Sequence, residues 1–175
     1  FLLQKVDLTP ISVSAKETLL QTGGVHYSKI ISNEDPPSKE YLDTFYLLVD
    51  TYGNRLAAEI KLLAKTLHKV KGSNITLVSL ARAGTPVGVL LMRALRMQYN
   101  IDVKHYSISI VRDHGIDTAA LQHIANSGRS ASSIIFVDGW TAKGVINRDL
   151  KRSIADWNSN NTYKIGDHLC VISDL

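Results

Sequence analysis

Ser133-Ile-Ile-Phe-Val-Asp-Gly-Trp-Thr-Ala-Lys-Gly-Val-Ile146 is the stretch whose reading organises the rest of the chain. Ile134 to Val137 form a continuous apolar run, the pattern of a strand covered on both faces. Asp138 ends the run. A short turn with a hydroxyl, a cation and two glycines follows, and a helix is expected from Gly144 to Trp157. A strand that stops at an acid and turns through glycine into a helix N-terminus suits a sugar phosphate. The turn amides and the helix dipole receive the phosphate, and the acid faces the sugar hydroxyls.

Working outward, the same alternation recurs. Ile75-Thr-Leu-Val-Ser-Leu80 is a predicted strand, Ala81 to Thr85 a loop, and Pro86 suits the first turn of a helix continuing through Leu95. Lys104 to Val111 is a second strand, followed by a polar loop over 112–117 and a helix over Thr118–Asn126. Leu169–Ser173 is a fourth strand. Strands alternating with helices predict an α/β fold with a doubly wound, mostly parallel sheet. Ligands of such sheets bind beyond the carboxyl ends of the strands, where the 81–85, 112–117 and 138–143 loops fall.

Upstream the pattern differs. Residues 1–37 are irregular, with a short helix predicted over Ala15–Gln21, a Gly23-Gly24 pair and the turn-rich Ser32-Asn-Glu-Asp-Pro-Pro37. They are read as an N-terminal extension or hood, and 38–175 as the α/β domain. Ser38 is an expected N-cap. After it Tyr41, Leu42, Phe45, Leu48, Val49, Leu56, Ile60, Leu63 and Leu67 recur at helical spacing, with Gly53 as a point of interruption and Lys71-Gly-Ser73 as the end.

Composition narrows the function classes. The 175 residues are 45% hydrophobic and 21% charged, the range of a globular domain. No apolar run approaches the ~20 residues of a membrane span. The net charge of +4 favours anionic ligands but is too dispersed to argue for nucleic acid. Cys170 is the only cysteine, which excludes an internal disulfide framework and fits a reducing, cytoplasmic setting. The start at Phe1 and the ending inside the last strand are read as marks of a piece of a longer protein.

Three constellations carry candidate chemistry. In the first, the amides of Thr141, Ala142, Lys143 and Gly144 and the Thr141 hydroxyl cradle a monoester phosphate. Asp138 there bonds ribose hydroxyls or acts through Mg²⁺. The bland reading is an Asp138-Gly139 turn with a solvated Lys143 and a Trp140 packed on its neighbour. In the second, Ala81-Arg-Ala-Gly84 brings backbone amides close to an anion, and Arg82 adds a bidentate partner for diphosphate. The bland reading of Arg82 is a surface cation. In the third, Arg112, Asp113 and His114 form a lid or contact the diphosphate; alternatively they are a solvated connection, with Asp117 capping the next helix. His26-Tyr-Ser28 reads as structural, or as part of a hood.

The strings Ile134-Ile-Phe-Val-Asp138, Thr141-Ala-Lys-Gly144 and Leu80-Ala-Arg-Ala-Gly84 resemble the type I phosphoribosyltransferases. A closer resemblance, over most of the chain, is carried by Leu77 to Leu91, His105 to Ile110 and Phe136 to Thr141. It is to the phosphoribosyltransferase-like proteins encoded beside bacterial tellurite-resistance stress operons, some of which carry a cysteine-protease label. The resemblance implies binding of phosphoribosyl diphosphate or a ribonucleotide with Mg²⁺, in nucleotide or nucleoside biosynthesis linked to stress. Asp138 is then the catalytic acid, and Asp138, Gly139, Trp140, Thr141, Ala142, Lys143 and Gly144 hold the ribose phosphate. Ala81, Arg82, Ala83, Gly84 and Arg112 hold the diphosphate. It implies an RNA link only through a further C-terminal domain, no membrane association, and a homodimer. Gly139 departs from the family pattern, which has a second acid there. Three functions are therefore expected in turn: a transferase, a nucleotide-binding module without the chemistry, and a protease using Cys170 with a nearby histidine.

Overall fold

The structure is a computed structural model that describes residues 4, 7–23 and 25–174. Phe1 to Leu3, Lys5, Val6, Gly24 of the Gly23-Gly24 pair and Leu175 lie outside the described residues. Two compact units are present, Phe1–Thr51 and Tyr52–Leu175.

In the first unit, α1 spans Val13–Gln21, longer at its start than the expected Ala15–Gln21 because Ser12 caps it by accepting from the Ala15 amide. A 3-10 turn follows at Tyr27–Lys29. Ile11 bridges to Ser32, with its N–H donating to Ile31 O, and Lys16 Nζ reaches the Ser32 hydroxyl.

Helix α2 covers Lys39–Lys71, and Ser38 Oγ accepts from the Tyr41 amide as its sequence position requires. Gly53 does not interrupt it, contrary to expectation, because ~1 kcal/mol of glycine penalty is spread over a 33-residue helix of good formers. Its buried residues are Ile60, Ala64 and Leu67, all in the C-terminal half.

The second unit contains the sheet. Strands β1 (Thr76–Ala81), β2 (Lys104–Val111), β3 (Gly115–Ile116), β4 (Ile134–Val137) and β6 (Leu169–Cys170) lie in the order β3-β2-β1-β4-β6. All pairings are parallel except β2–β3, which is antiparallel at the edge. The connections are α3 (Gly84–Tyr99), α4 (Thr118–Ala125) and α5 (Val145–Asn160).

Alternation along the strands builds two cores. Val78, Leu80, Ile108, Ile134 and Phe136 face Leu121 and Ile124 of α4 and Leu150, Ile154 and Trp157 of α5. Leu77, Ile135 and Val137 face the opposite way, against Leu91 and Leu95 of α3 and Ile60, Ala64 and Leu67 of α2. Each such side chain contributes about 1.5–3 kcal/mol on burial. Helices on both sheet faces make the fold doubly wound, and they explain why β4 reads as an unbroken apolar run.

Two expectations are corrected. The 112–117 segment is a hairpin, with β3 returning on β2 through a turn in which Asp113 and Gly115 have positive φ (67° and 83°). The expected strand Leu169–Ser173 is two: β6 pairs with β4, and β7 (Ser173–Asp174) pairs with β5 (Trp140–Thr141) in a separate two-stranded sheet. After Val137 the chain leaves the main sheet, and the last residues follow it out, with the Ile172 amide donating to Gly139 O.

Candidate functional site

At the carboxyl ends of the strands lies a cavity of about 400 Å³. Ala83, Arg112, Asp138 and the run from Trp140 to Ile146 line it. Three loops of distant sequence thus meet at one place, as the strand order requires: β2 and β4 flank β1, so the loops after them flank the loop after β1.

The α3 N-terminus is pressed onto the end of β4. A Cβ on Gly84 would stand 2.2 Å from the Val137 carbonyl oxygen, so only glycine admits this approach. Gly84 is buried there, while Ala81, Arg82 and Ala83 are exposed. The Ala81–Arg82 peptide is cis. Of this loop Ala83 lines the cavity; Ala81, Arg82 and Gly84 stand beside it. Gly139 packs against the same loop, its built Cβ 3.2 Å from the Ala83 methyl, so a second acid at this position would press on Ala83.

The α5 N-terminus forms the other wall. Gly144 takes the left-handed conformation (φ 67°) as its N-cap, and no side chain caps the helix. No acid stands in its first turn, so its first N–H groups and positive dipole end carry no protein carboxylate of their own there. Arg148 holds the turn by donating to Lys143 O at 3.1 Å.

Asp138 joins the two walls. Its Oδ1 accepts from the Gly139 amide at 2.7 Å, and its own amide donates to Cys170 O at 2.9 Å. Burial pushes its carboxyl above the ordinary value, with the Gly139 N–H working in the opposite direction. The Thr141 hydroxyl, expected to face a phosphate, donates to the Asp174 carboxylate. Trp140 is exposed. Asp117 is the cap of α4, accepting from the Ala120 amide. His26 bonds Ser28 at 2.7 Å within the first unit.

Asp174, Val145 and Ile146 were not among the predicted site residues. No local signal marks Asp174, because its role comes from β5–β7 pairing across the chain. Also missed is a polar seam on the α3 side of β1 and β2, where Ser79 Oγ meets His105 Nε2 at 2.7 Å and Thr85 meets Ser107 at 2.6 Å. Gly88 leaves room for it, and burial holds the His105 ring below its usual pKa, hence neutral. Ser79 is fully buried, so the seam is a structural pairing.

Cys170 packs against the core on the α2–α3 side of the sheet, and burial raises its thiol pKa. Among the described residues no hydrogen bond reaches its sulfur, and no cluster of three His, Cys, Asp or Glu is placed to hold a metal ion. None of the helices described is long and apolar enough to cross a membrane.

A family model described as "Tellurite-like stress resistance cysteine protease StiP" matches residues 1–175. The chain belongs to the StiP family. A curated StiP-family relative, "Cysteine protease StiP" of Acinetobacter baylyi, is 44% identical over 178 residues; the alignment covers all of this chain and 45% of the relative, so the chain spans under half its length. Among solved structures, a hypoxanthine-guanine phosphoribosyltransferase of Bacillus anthracis is similar at 16% identity and TM-score 0.48, over 69% of this chain and 67% of that one. The hypoxanthine phosphoribosyltransferase of Trypanosoma cruzi is similar at 14% identity and TM-score 0.48, over 70% and 78%.

Proposed function

We propose that this StiP-family chain binds phosphoribosyl diphosphate or a ribonucleotide at the Asp138–Ile146 cavity and acts as a phosphoribosyltransferase in cytoplasmic nucleotide or nucleoside metabolism under stress. The observation that carries this reading is the convergence of an uncapped helix N-terminus, a cation and a half-buried carboxylate on one cavity of about 400 Å³. That volume lies within the ~300–1,000 Å³ of small-ligand sites. The 141–144 amides receive the 5′-phosphate, Asp138 faces the ribose, and Arg112 with the Ala81–Gly84 loop takes the diphosphate.

In the transfer, the bond from ribose C1 to the diphosphate oxygen breaks, diphosphate leaves with the electron pair, and an acceptor bonds C1 and gives up a proton. The transition state is oxocarbenium-like, so the chain's work is positioning and charge stabilisation. Among the described residues Asp138 is the one carboxylate in the lining, so Mg²⁺ fits only if the diphosphate brings most of its oxygen ligands. The ion would neutralise charge on the leaving group.

One observation favours a second reading, a nucleotide-binding module without turnover: Gly139 lies against Ala83 where the second acid is expected. The protease reading, which the relative's name states for that protein, draws no support from Cys170, whose thiol pKa is raised by burial and to which, among the described residues, no histidine is hydrogen-bonded. Calorimetry with phosphoribosyl diphosphate and Mg²⁺ tests the first reading. Heat of binding with product formation supports it, heat without turnover selects the module, and no heat from folded protein removes both.

A further inference from the structure

A second pocket, of about 260 Å³, lies within the Tyr52–Leu175 unit, between the β2–β3 hairpin and the later part of α5. Ile116 and Thr118 line one side, and Ser153, Asp156, Asn160 and Asn161 line the other. No residue lines both this pocket and the cavity at Asp138; the hairpin gives Arg112 to the cavity and Ile116 to the pocket.

Positions 149, 153, 156 and 160 follow a 4-3-4 spacing and so share one face of α5. The hairpin is held on that face. The Ile116 amide donates to Ser153 Oγ at 3.2 Å, and a Cβ on Gly115 would stand 2.5 Å from the same oxygen.

The lining is rich in acceptors because its donors are used within α5. The Ser153 hydroxyl donates to Asp149 O at 2.7 Å. Asn160 Nδ2 donates to Asp156 O and Asn161 Nδ2 to Trp157 O, each at 2.9 Å. The two amide oxygens and the Asp156 carboxylate are left as the main ligand-binding groups. Among the described residues no hydrogen bond or ion pair takes up that carboxylate.

Three further features favour a positive charge here. Asp149, on the same helix face, bonds Arg152 through Oδ1 at 3.0 Å, while its buried Oδ2 meets no partner among the described residues. The pocket sits at the negative end of the α5 dipole, and the last turn of α5 holds no basic residue. Lys164 donates to Asn158 O from outside the lining. At the start of α4, the positive end beside Thr118 is offset by the Asp117 cap.

We propose that this pocket binds a small alkylamine as its ammonium. A primary ammonium brings three donors and no acceptor, the complement of the Asp156, Asn160 and Asn161 oxygens. The floor is Ile116 and Trp157, both 6% exposed, which suits a methylene stem. Among the described residues no cluster of three His, Cys, Asp or Glu is placed to hold a metal ion, so an organic cation is the better match.

Titration of 1,5-diaminopentane into the full chain, read by backbone amide NMR, tests this. Saturable shifts are expected, centred on residues 114–118 and 153–161. 1,5-Pentanediol has the same stem without charge and is expected to bind at least ~10-fold more weakly. Asp156→Asn changes an exposed side chain and should keep the thermal melt while weakening diamine binding about fivefold. Asn160→Lys sets the protein's own ammonium four residues after Asp156; it is expected to abolish the response with the melt unchanged or raised. The proposal is overturned if no saturable shifts occur, or if they centre elsewhere. Equal binding of the diol, or full affinity in Asp156→Asn, overturns it as well.

Discussion

The Thr141 hydroxyl donates to the carboxylate of Asp174, 33 residues further along the chain. This bond and the β5–β7 pairing tie the wall of the cavity to the last described residues. It also commits the Thr141 hydroxyl to a carboxylate and sets Asp174 beside the cavity wall. Asp174→Asn is expected to leave the fold intact and to raise affinity for a ribose 5′-phosphate a few-fold, by removing like-charge repulsion. Calorimetry at low and high salt checks this, since a charge effect shrinks with screening.

Asp138 supplies a pH signature. Its folded pKa lies above its unfolded value, near 3.8. The folded state therefore holds the proton more tightly, and stability falls as pH rises from 3.8 through the raised folded value. Asn keeps the Oδ1 acceptor for the Gly139 amide and carries no charge to desolvate. Asp138→Asn is thus expected to melt at or above the wild-type temperature at pH 7, with the difference closing near pH 3. The same variant is expected to abolish transfer. A melting temperature lowered at pH 7 contradicts the assignment of burial as the cause.

Gly84 and Gly53 make a paired test of space. Gly84→Ala drives a methyl to 2.2 Å from the Val137 carbonyl oxygen, so the α3 start must lift off β4. The expected cost is about 1–3 kcal/mol. Gly53→Ala meets open space in a helix and is expected to gain up to ~1 kcal/mol. Urea melts of the two variants should move in opposite directions.

Arg112 lines the cavity from the hairpin after β2. Losing a charge-assisted hydrogen bond of ~1.5–3 kcal/mol corresponds to roughly 10- to 100-fold in affinity. Arg112→Ala is expected to lose that much for phosphoribosyl diphosphate and far less for a ribose monophosphate. Competition calorimetry with the two ligands separates them.

Cys170 is expected to react slowly with iodoacetamide at pH 7, since burial lowers both its access and its thiolate fraction. Labelling at least ~10-fold slower than a free thiol peptide is the anticipated outcome, and Cys170→Ala should keep ligand binding. Rapid labelling, with loss of a peptidase activity in the same variant, would reverse the judgement on the protease reading.

The strands and the helices between them were legible because burial on both faces writes itself into local apolar runs, as in Ile134 to Val137. Caps were legible for the same local reason: Ser38 and Asp117 bond amides three residues away. The two-residue strands β3, β5 and β7 were not, because so short a pairing has no period and depends on a distant partner. The stripe along α2 was visible, but its split into a buried C-terminal half and an exposed N-terminal half was not.

Sequence alone determined the α/β class, the strand–acid–turn–helix at 133–146 and the sheet edge where its loops gather, since each is a consequence of near-neighbour chemistry. Tertiary structure alone decided that Arg112, Ala83 and the 138–146 turn share one cavity while Arg82 stands beside it, and that Thr141 is held by Asp174. It also decided that Gly139 faces Ala83 and that Asp138 is half-buried. These depend on strand order and on close approach between segments far apart in the chain, distances that no local pattern encodes.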